Sequence, residues 1–278
     1  MPIRFRLTTL ALIAPPVIGL LIFFIGPLLL NIEVSLREPG GGHGLMQYAR
    51  ALGDPYYVKV WLQTIALAAC VTFFTLLFGY PFAFAVARSR GPVKGFLIFL
   101  IVTPLLINVV VRTFGWMVVL GRSGLINGTL RAFDLPTINL LGGWFAIGIT
   151  LVHVMLPFMV LSIASALEGI DQALEQAALT LGARPVQAFR HIVWPLSLDG
   201  VITGTLLVFS LSIGSFVTVM LMGNNRTMVL PVMVYQQLNL SSDWPFAAAL
   251  GVVLLVTVLA ISAAQIAIGR RLRRGSPA

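Results

Sequence analysis

The sequence predicts an all-α integral membrane protein with six transmembrane helices. Hydrophobic residues make up 58% of the 278-residue chain and charged residues only 10%, whereas soluble domains carry about 25% charged residues. Six apolar runs are long enough to cross a bilayer, which takes about 20 residues. They cover residues 8–31, 61–87, 95–120, 144–167, 197–222 and 247–269. We therefore expect a single transmembrane domain over residues 1–278, with the lipid bilayer as its surroundings.

The first run follows Arg4 and Arg6, as the core of a signal peptide would. It is too long for such a core and lacks a convincing cleavage site, so we expect it to be retained. Prolines inside the first four runs predict kinked helices. With six spans, both termini lie on the same side of the membrane.

The basic residues predict the orientation. The segments on the side of the termini are 1–7, 88–94, 168–196 and 270–278. They hold eleven lysines and arginines, against six in the segments on the other side. Because cytoplasmic loops carry the excess of basic residues, both termini and segment 168–196 are expected in the cytoplasm. The net charge of +9 therefore reflects topology, and we expect no nucleic-acid partner.

Several kinds of chemistry are excluded by the residues the chain lacks. The single cysteine, Cys70, allows no intrachain disulfide and no cysteine-based metal site. Neither lysine, Lys59 or Lys94, lies in the G-x-x-x-x-G-K-[ST] loop that cradles ATP phosphates. The chain also lacks the H-E-x-x-H and G-x-S-x-G motifs. We therefore expect no enzymatic activity, no bound metal and no cofactor in this chain.

Segment 168–196 is predicted to form an amphipathic helical hairpin. From Ile170 to Leu181 the apolar residues recur at helical spacing. Gly182 stands where a left-handed helix stop belongs, and Pro185 where a second helix begins. The second helix places Val186, Phe189, Ile192 and Val193 on one face, and Pro195 is expected to end the hairpin before the fifth span. Amphipathicity alone allows two interpretations: the hairpin lies on its own membrane domain or in the lipid interface, or it docks into a groove of a soluble partner.

The hairpin resembles the EAA loop of bacterial ABC importer permeases. The pattern reads Glu-Ala-Ala, three residues, Gly, nine residues, Ile, one residue and Leu-Pro. Here Ala177 and Ala178 precede Gly182 by the right spacing, and Ile192 and Pro195 follow. Two positions depart: Gln176 replaces the usual Glu, directly after Glu175, and Trp194 replaces Leu. The first departure puts an ionic role at that position in doubt, and the second should alter packing.

This resemblance implies a type I ABC importer permease fold in a bacterial inner membrane, working by alternating access. It implies two ABC ATPase subunits that bind ATP and Mg²⁺, a second homologous permease subunit that completes a heterodimer, and a periplasmic solute-binding protein. The hairpin would then be the coupling helix that seats in an ATPase subunit. Its coupling residues are Glu175, Gln176, Ala177, Ala178, Gly182, Ala183, Arg184, Pro185, Phe189, Ile192 and Pro195.

Two further stretches resemble spermidine/putrescine-type permeases: LINVVVRTFGWMVVLGRSGLIN (106–127) and FVTVMLMGNNRTMVLPVMVYQQL (216–238). The resemblance implies a polyamine substrate. Related permeases for amino acids, opines, phosphonates, iron(III) or thiamine share such stretches, so these solutes remain alternatives. An ion-coupled secondary transporter is a further alternative, although inverted repeats and intramembrane acids, the usual marks of that class, are not evident.

The candidate residues of a translocation pathway are Asn108, Arg112, Trp116, Ser215 and Tyr235. Arg112 lies about 6 Å beyond the middle of the third run, at the helical rise of about 1.5 Å per residue. Because an arginine at a helix centre costs roughly 2.5–3.5 kcal/mol, its side chain should face protein or water. Arg112 therefore either serves a pathway or gate, or has a structural or snorkelled role.

Overall fold

The computed structural model describes residues 7–38, 40–224 and 226–274. Arg4 and Arg6, which belong to the basic segment 1–7 used to predict the orientation, lie outside the described residues. The described residues form α-helices, two π-helical turns and connecting loops, with no strand among them. The helices are α1 (Leu7–Leu20), α2 (Gly26–Ser35), α3 (Met46–Gly53), α4 (Pro55–Arg88), α5 (Gly91–Leu106), α6 (Val109–Leu120), α7 (Leu125–Ala132), α8 (Trp144–Glu168), α9 (Gln172–Thr180), α10 (Pro185–Ala188), α11 (Trp194–Ile213), α12 (Val217–Met222), α13 (Leu230–Asn239) and α14 (Trp244–Arg274). The predicted all-α class is therefore confirmed.

Six helical segments of the described chain are long and apolar enough to cross a membrane. They are Ala14–Ser35, Pro55–Arg88, Val109–Ala132, Trp144–Glu168, Pro185–Ile213 and Trp244–Gly269. A shorter apolar helix, Gly91–Leu106, precedes the third of them. The predicted number of spans is confirmed, but the third and fifth apolar runs are not single helices.

The third apolar run, predicted as one span over 95–120, breaks between α5 and α6. Pro104 lies in the last turn of α5, and Ile107 and Asn108 both leave the helical region, with ψ values of 132° and 139°. The Asn108 Oδ1 then accepts a hydrogen bond of 2.8 Å from the Val110 N–H, which caps the start of α6. A hydropathy window does not detect this break, because the residues on both sides of it are apolar.

The fifth apolar run, predicted over 197–222, also breaks. Helix α11 ends at Ile213, and Gly214, Ser215 and Phe216 precede α12. The Ser215 Oγ donates to the Leu211 carbonyl oxygen at 3.1 Å, so a side chain takes a position that a backbone N–H would otherwise use. Glycine and serine together therefore end α11 inside the apolar run.

The described chain divides into two compact units. The first contains the residues up to Lys59 together with Met233–Val256, and the second contains Val60–Val232 and the residues from Thr257 onward. Helices α4, α13 and α14 contribute residues to both. Each unit has its own buried residues and polar contacts.

In the second unit α8 is the central helix, and α11 packs directly against it. A Cβ added to Gly200 of α11 would lie 2.6 Å from the Ala166 Cβ and 2.8 Å from the Ser162 carbonyl oxygen. Gly204, one turn further along α11, would meet the Met159 Sδ at 2.7 Å. The two glycines form a G-x-x-x-G pair, which allows two helix backbones to approach closely inside a membrane.

The first unit is organised around Arg50 of α3. The Arg50 Nη1 donates to the Asp243 Oδ2 at 2.8 Å, and its guanidinium lies 4.0 Å from the ring centre of the buried Phe246. The Asp243 Oδ1 also accepts from the Phe246 N–H and so caps the start of α14. A cation, a carboxylate and an aromatic ring thereby tie α3 to the start of α14 within this unit.

Candidate functional site

The first helix of the hairpin, α9, has a capped start and ends at Gly182 as its sequence predicts. The Asp171 Oδ1 accepts from the Ala173 N–H at 2.9 Å and caps the N-terminus. At the other end Gly182 has φ +90°, the left-handed region that glycine adopts without steric cost. The N–H groups of Gly182 and Ala183 donate, both at 3.0 Å, to the carbonyl oxygens of Leu179 and Ala178. This pattern is a Schellman motif, which reverses the chain in a tight turn.

The second helix of the hairpin starts at Pro185, as predicted, and its first turn is fixed by the Gln187 Oε1, which accepts from the Arg184 N–H at 2.8 Å. The prediction that Pro195 ends the hairpin is wrong. The helix passes from α10 through a π-helical turn, Phe189–Val193, into α11 without interruption. Pro195 lies in the first turn of α11, where its missing N–H is tolerated because the π turn has already changed the hydrogen-bond register.

Apolar side chains at the tip of the hairpin face outward. Leu181 is 88% exposed and Val186 is 75% exposed, and Leu174 and Leu179 are each about half exposed. Helix α9 buries none of its residues in the described structure. Two helices linked by a rigid turn thus present a compact apolar surface, defined here as the hairpin tip, that suits docking into a groove of another protein.

The predicted coupling residues divide between the two sides of the hairpin. Gln176, Ala177, Gly182, Arg184 and Pro185 are exposed, and Ala178 and Ala183 are half-buried. Phe189 and Ile192 are half-buried, while Ala188 and Val193, which lie beside them, are fully buried. The apolar face predicted for the second helix is therefore split, with Val186 at the tip and Phe189 and Val193 turned inward.

The residue before the neutral Gln176 carries a carboxylate that forms an ion pair within this chain. The Glu175 Oε2 lies 2.5 Å from the Arg88 Nη2, at the end of α4. Two longer contacts lie nearby in the sequence: Arg90 Nη2 donates to the Gln172 Oε1 at 3.4 Å, and the Lys94 Nζ lies 3.0 Å from the Glu168 Oε1. Glu175 therefore supplies a carboxylate beside the position that Gln176 leaves neutral.

Aromatic residues hold the second hairpin helix against α4, and sequence reasoning missed them. The Tyr80 ring lies 5.2 Å from the Trp194 ring and 5.8 Å from the Phe189 ring, measured between centroids. The Tyr80 hydroxyl shares a hydrogen bond of 2.9 Å with the buried Ser197. Trp194, the second departure from the motif, is thus packed against a tyrosine more than 100 residues earlier, which no local pattern could reveal.

Three of the five candidate pathway residues, Asn108, Arg112 and Trp116, lie on successive turns of one helix. Asn108 caps α6, and the Arg112 Nη1 donates to the Pro104 carbonyl oxygen at 2.7 Å. The Trp116 Nε1–H donates to the His153 Nδ1 on α8 at 3.3 Å, and the two rings meet edge to face with 5.6 Å between their centres. These contacts make one polar cluster at the break between α5 and α6.

The other two candidates lie apart from this cluster. Ser215 is in the α11–α12 break, and Tyr235 belongs to the first unit. Between α4 and α8 the second unit also has a cavity of about 660 Å³, lined mainly by apolar side chains such as Val71, Phe74, Phe145 and Ile149. None of the five candidates is among its described lining residues.

The fold and site define a class of protein. Six membrane-crossing segments, two apolar runs broken beside polar residues and an exposed amphipathic hairpin are features of a multi-pass membrane transporter. The chain belongs to the family of binding-protein-dependent transport system inner membrane components, whose profile matches residues 76–274. It is therefore an inner-membrane permease subunit of an ABC importer.

Individual relatives agree with this assignment. The chain is 31% identical over 261 residues to the spermidine/putrescine transport system permease protein PotB of Haemophilus influenzae, covering 91% of this chain and 90% of the relative. It is 35% identical over 217 residues to PotB of Escherichia coli K12, covering 77% and 78% of the two chains. It is also 26% identical to a putative 2-aminoethylphosphonate permease, PhnU, of Salmonella typhimurium LT2, covering 88% and 87%.

Solved structures show the same fold. A bacterial ABC transporter that imports the acidic polysaccharide alginate matches with a TM-score of 0.78 and 19% identity, covering 94% of each chain. The MetNI methionine ABC transporter in an inward-facing conformation matches with a TM-score of 0.62 and 19% identity, covering 77% of this chain and 95% of the other. The predicted type I importer permease fold is confirmed.

Proposed function

We propose that this chain is one of two permease subunits of an importer that carries a polyamine such as spermidine or putrescine into the cytoplasm. The observation that carries the substrate assignment is the 31% identity to a spermidine/putrescine permease across 91% of the chain. Two ATPase subunits hold ATP and Mg²⁺, a periplasmic binding protein delivers the solute, and a homologous permease completes the pathway. Both termini and the hairpin lie in the cytoplasm, in line with the excess of basic residues on that side.

The hairpin tip supports docking to the ATPase rather than to lipid. Its two most exposed apolar residues, Leu181 and Val186, flank the turn between the two helices, whereas an interfacial helix presents its apolar face along its whole length. The tip is rigid because Gly182 closes a Schellman turn and Gln187 fixes the next helix. A rigid tip of this kind can seat in a cleft and transmit a movement of the cleft into the spans.

The arginine in the third apolar run is compatible with a polycationic solute. Arg112 donates to the Pro104 carbonyl oxygen in the last turn of α5, where the helix dipole places partial negative charge. Its charge is therefore partly offset by a structural partner. The half-buried Trp116 ring, one turn further along, is of the residue type that makes cation–π contacts with an ammonium group.

Transport measurements on the whole importer test the proposal. The two permeases, the ATPase and the binding protein are reconstituted in proteoliposomes with ATP on the ATPase side, and uptake of labelled spermidine, putrescine and 2-aminoethylphosphonate is compared. We expect saturable, ATP-dependent uptake of one or both polyamines and none of the phosphonate.

A second candidate solute is a small phosphonate, which the 26% identity to PhnU favours. ATP-dependent uptake of 2-aminoethylphosphonate without polyamine uptake would transfer the assignment to that solute. Uptake that runs on an ion gradient without ATP would instead favour a secondary transporter.

A further inference from the structure

One face of α4 carries three side chains on successive turns: Tyr80, Phe84 and Arg88. Residues four apart on a helix stand above one another, so the three form a continuous stripe, defined here as the α4 stripe. All three lie in the second unit, as does the whole hairpin. Each of the three side chains contacts a residue of the hairpin segment: Tyr80 and Phe84 contact Phe189, and Arg88 contacts Glu175.

Tyr80 and Phe84 of the stripe pack against the second hairpin helix and the start of α11. Tyr80 contacts Phe189 edge-on and lies tilted against Trp194, and its hydroxyl is bonded to Ser197. Phe84 adds a second edge-on contact to Phe189, with 6.1 Å between ring centres. Tyr80 and Ser197 are buried, so this is a packed aromatic joint.

Arg88 of the stripe contacts the first hairpin helix. Arg88 pairs with Glu175 of α9, and its guanidinium lies 5.5 Å from the centre of the Phe84 ring. The side chains of this ion pair are 19% and 28% exposed, against 33% and 41% for the Lys94–Glu168 pair. The more buried pair is less screened by salt and solvent, and an aromatic ring helps to fix its arginine.

The hairpin is joined directly to the fifth span through the backbone, but this connection is not a regular α-helix. The π turn Phe189–Val193 lies between α10 and α11, and its wider hydrogen-bond ring interrupts the helix there. The α4 stripe contacts the chain on both sides of this turn, at Glu175 before it and, through the Tyr80 ring, at Trp194 after it. The stripe thus spans the π turn, where a movement of the hairpin could otherwise be lost before it reaches α11.

We propose that the α4 stripe positions the hairpin and carries its movement into α4, so that Tyr80 and Arg88 are positioning residues for coupling ATP hydrolysis to transport. This inference rests on the proposed docking of the hairpin to an ATPase. The hairpin, α4 and the start of α11 then move as one body when the ATPase subunits close.

The test measures ATP hydrolysis and spermidine uptake in the same proteoliposomes of the whole importer. Tyr80→Ala and Arg88→Met should lower the uptake per ATP hydrolysed by about tenfold or more, because misplacement of a positioning group uncouples binding energy from the step it drives. Tyr80→Phe keeps the ring and should stay within about twofold of wild type, as should Lys94→Gln, which removes the more exposed pair.

Arg88→Glu combined with Glu175→Arg should recover most of the ratio that Arg88→Glu alone loses. An unchanged ratio in Tyr80→Ala and Arg88→Met would overturn the proposal, as would a double variant no better than the single one.

A second measurement needs no knowledge of the substrate. In a Cys70→Ala background, Arg88→Cys and Glu175→Cys are joined by a bismaleimide long enough to replace the two side chains, and ATP hydrolysis of the whole importer is followed. If the hairpin and α4 move as one body, the rate of ATP hydrolysis should stay within about twofold after cross-linking. If they separate in each cycle, cross-linking should lower that rate about tenfold or more. Inhibition would overturn the proposal. Absence of spermidine uptake in the wild type would count against the substrate alone, and absence of any ATPase in the purified complex would count against the docking on which the inference rests.

Discussion

The Arg112 Nη1 donates a hydrogen bond of 2.7 Å to the carbonyl oxygen of Pro104, across the break between α5 and α6. The residue thus has a partner that only the broken helix exposes, since carbonyl groups in the last turn of a helix lack an intrahelical donor. Of the two roles that the sequence left open, this contact favours the structural one. A role in the pathway remains a prediction.

Arg112→Met should destabilise the protein by about 1.5–3 kcal/mol, because it removes a charged hydrogen-bond donor from the Pro104 carbonyl, which keeps only the longer bond from the Ile107 N–H. Thermal unfolding of the detergent-solubilised protein measures this effect. Arg112→Lys keeps the charge and a donor and should fall between the methionine variant and wild type. Unfolding midpoints that coincide for all three proteins would show that the contact contributes nothing.

Gly200→Ala should cost about 1–3 kcal/mol, as overpacking of a filled interface does. The added methyl would meet the Ser162 backbone and the Ala166 Cβ, neither of which can rotate away. Gly204→Ala is the matched control, since its nearest neighbour is the flexible end of Met159. The two variants are compared by thermal unfolding in detergent, and equal losses, or a larger loss for Gly204→Ala, would contradict the packing described for α8 and α11.

Gly182→Asp should lower co-purification of the ATPase while leaving membrane insertion intact. The site has free space, so the cost is conformational: a residue with a Cβ at φ +90° loses about 1–2 kcal/mol. Gly182→Asn should be milder than Gly182→Pro, because asparagine tolerates the left-handed region and proline cannot adopt it. ATPase recovery at the wild-type level in Gly182→Pro would exclude the turn as a docking determinant.

Leu181→Asp should reduce ATPase co-purification by about tenfold or more, since a buried leucine contributes about 1.5–3 kcal/mol to a contact and an unpaired carboxylate costs further. Leu135→Asp is the control, because Leu135 is also an exposed leucine but lies in a segment predicted on the opposite side of the membrane. Pull-down from membranes with a tagged permease gives the ratio directly. Equal losses in the two variants would mean that general instability is responsible.

The sequence could predict the features that depend on local chemistry. Gly182 and Pro185 act through dihedral angles and hydrogen bonds within a few residues, and the structure has both in the expected roles. The apolar composition likewise predicted six spans, because crossing a bilayer requires little more than length and hydropathy.

Other features depend on contacts that a single sequence does not encode locally. Arg88 and Glu175 are 87 residues apart, and nothing near either one specifies the partner. The break at Asn108 was missed because hydropathy does not register where a backbone stops being helical. Pro195 was misjudged because a π turn before it lets the helix continue.

The most direct test of the account is ATP-driven uptake of labelled spermidine into proteoliposomes that contain this chain, its permease partner, the ATPase and the binding protein. The account predicts uptake that requires ATP and the binding protein, and that falls by about tenfold or more when Leu181→Asp removes the apolar contact at the hairpin tip. Uptake that proceeds without ATP, or that is indifferent to the Leu181→Asp change, would contradict it.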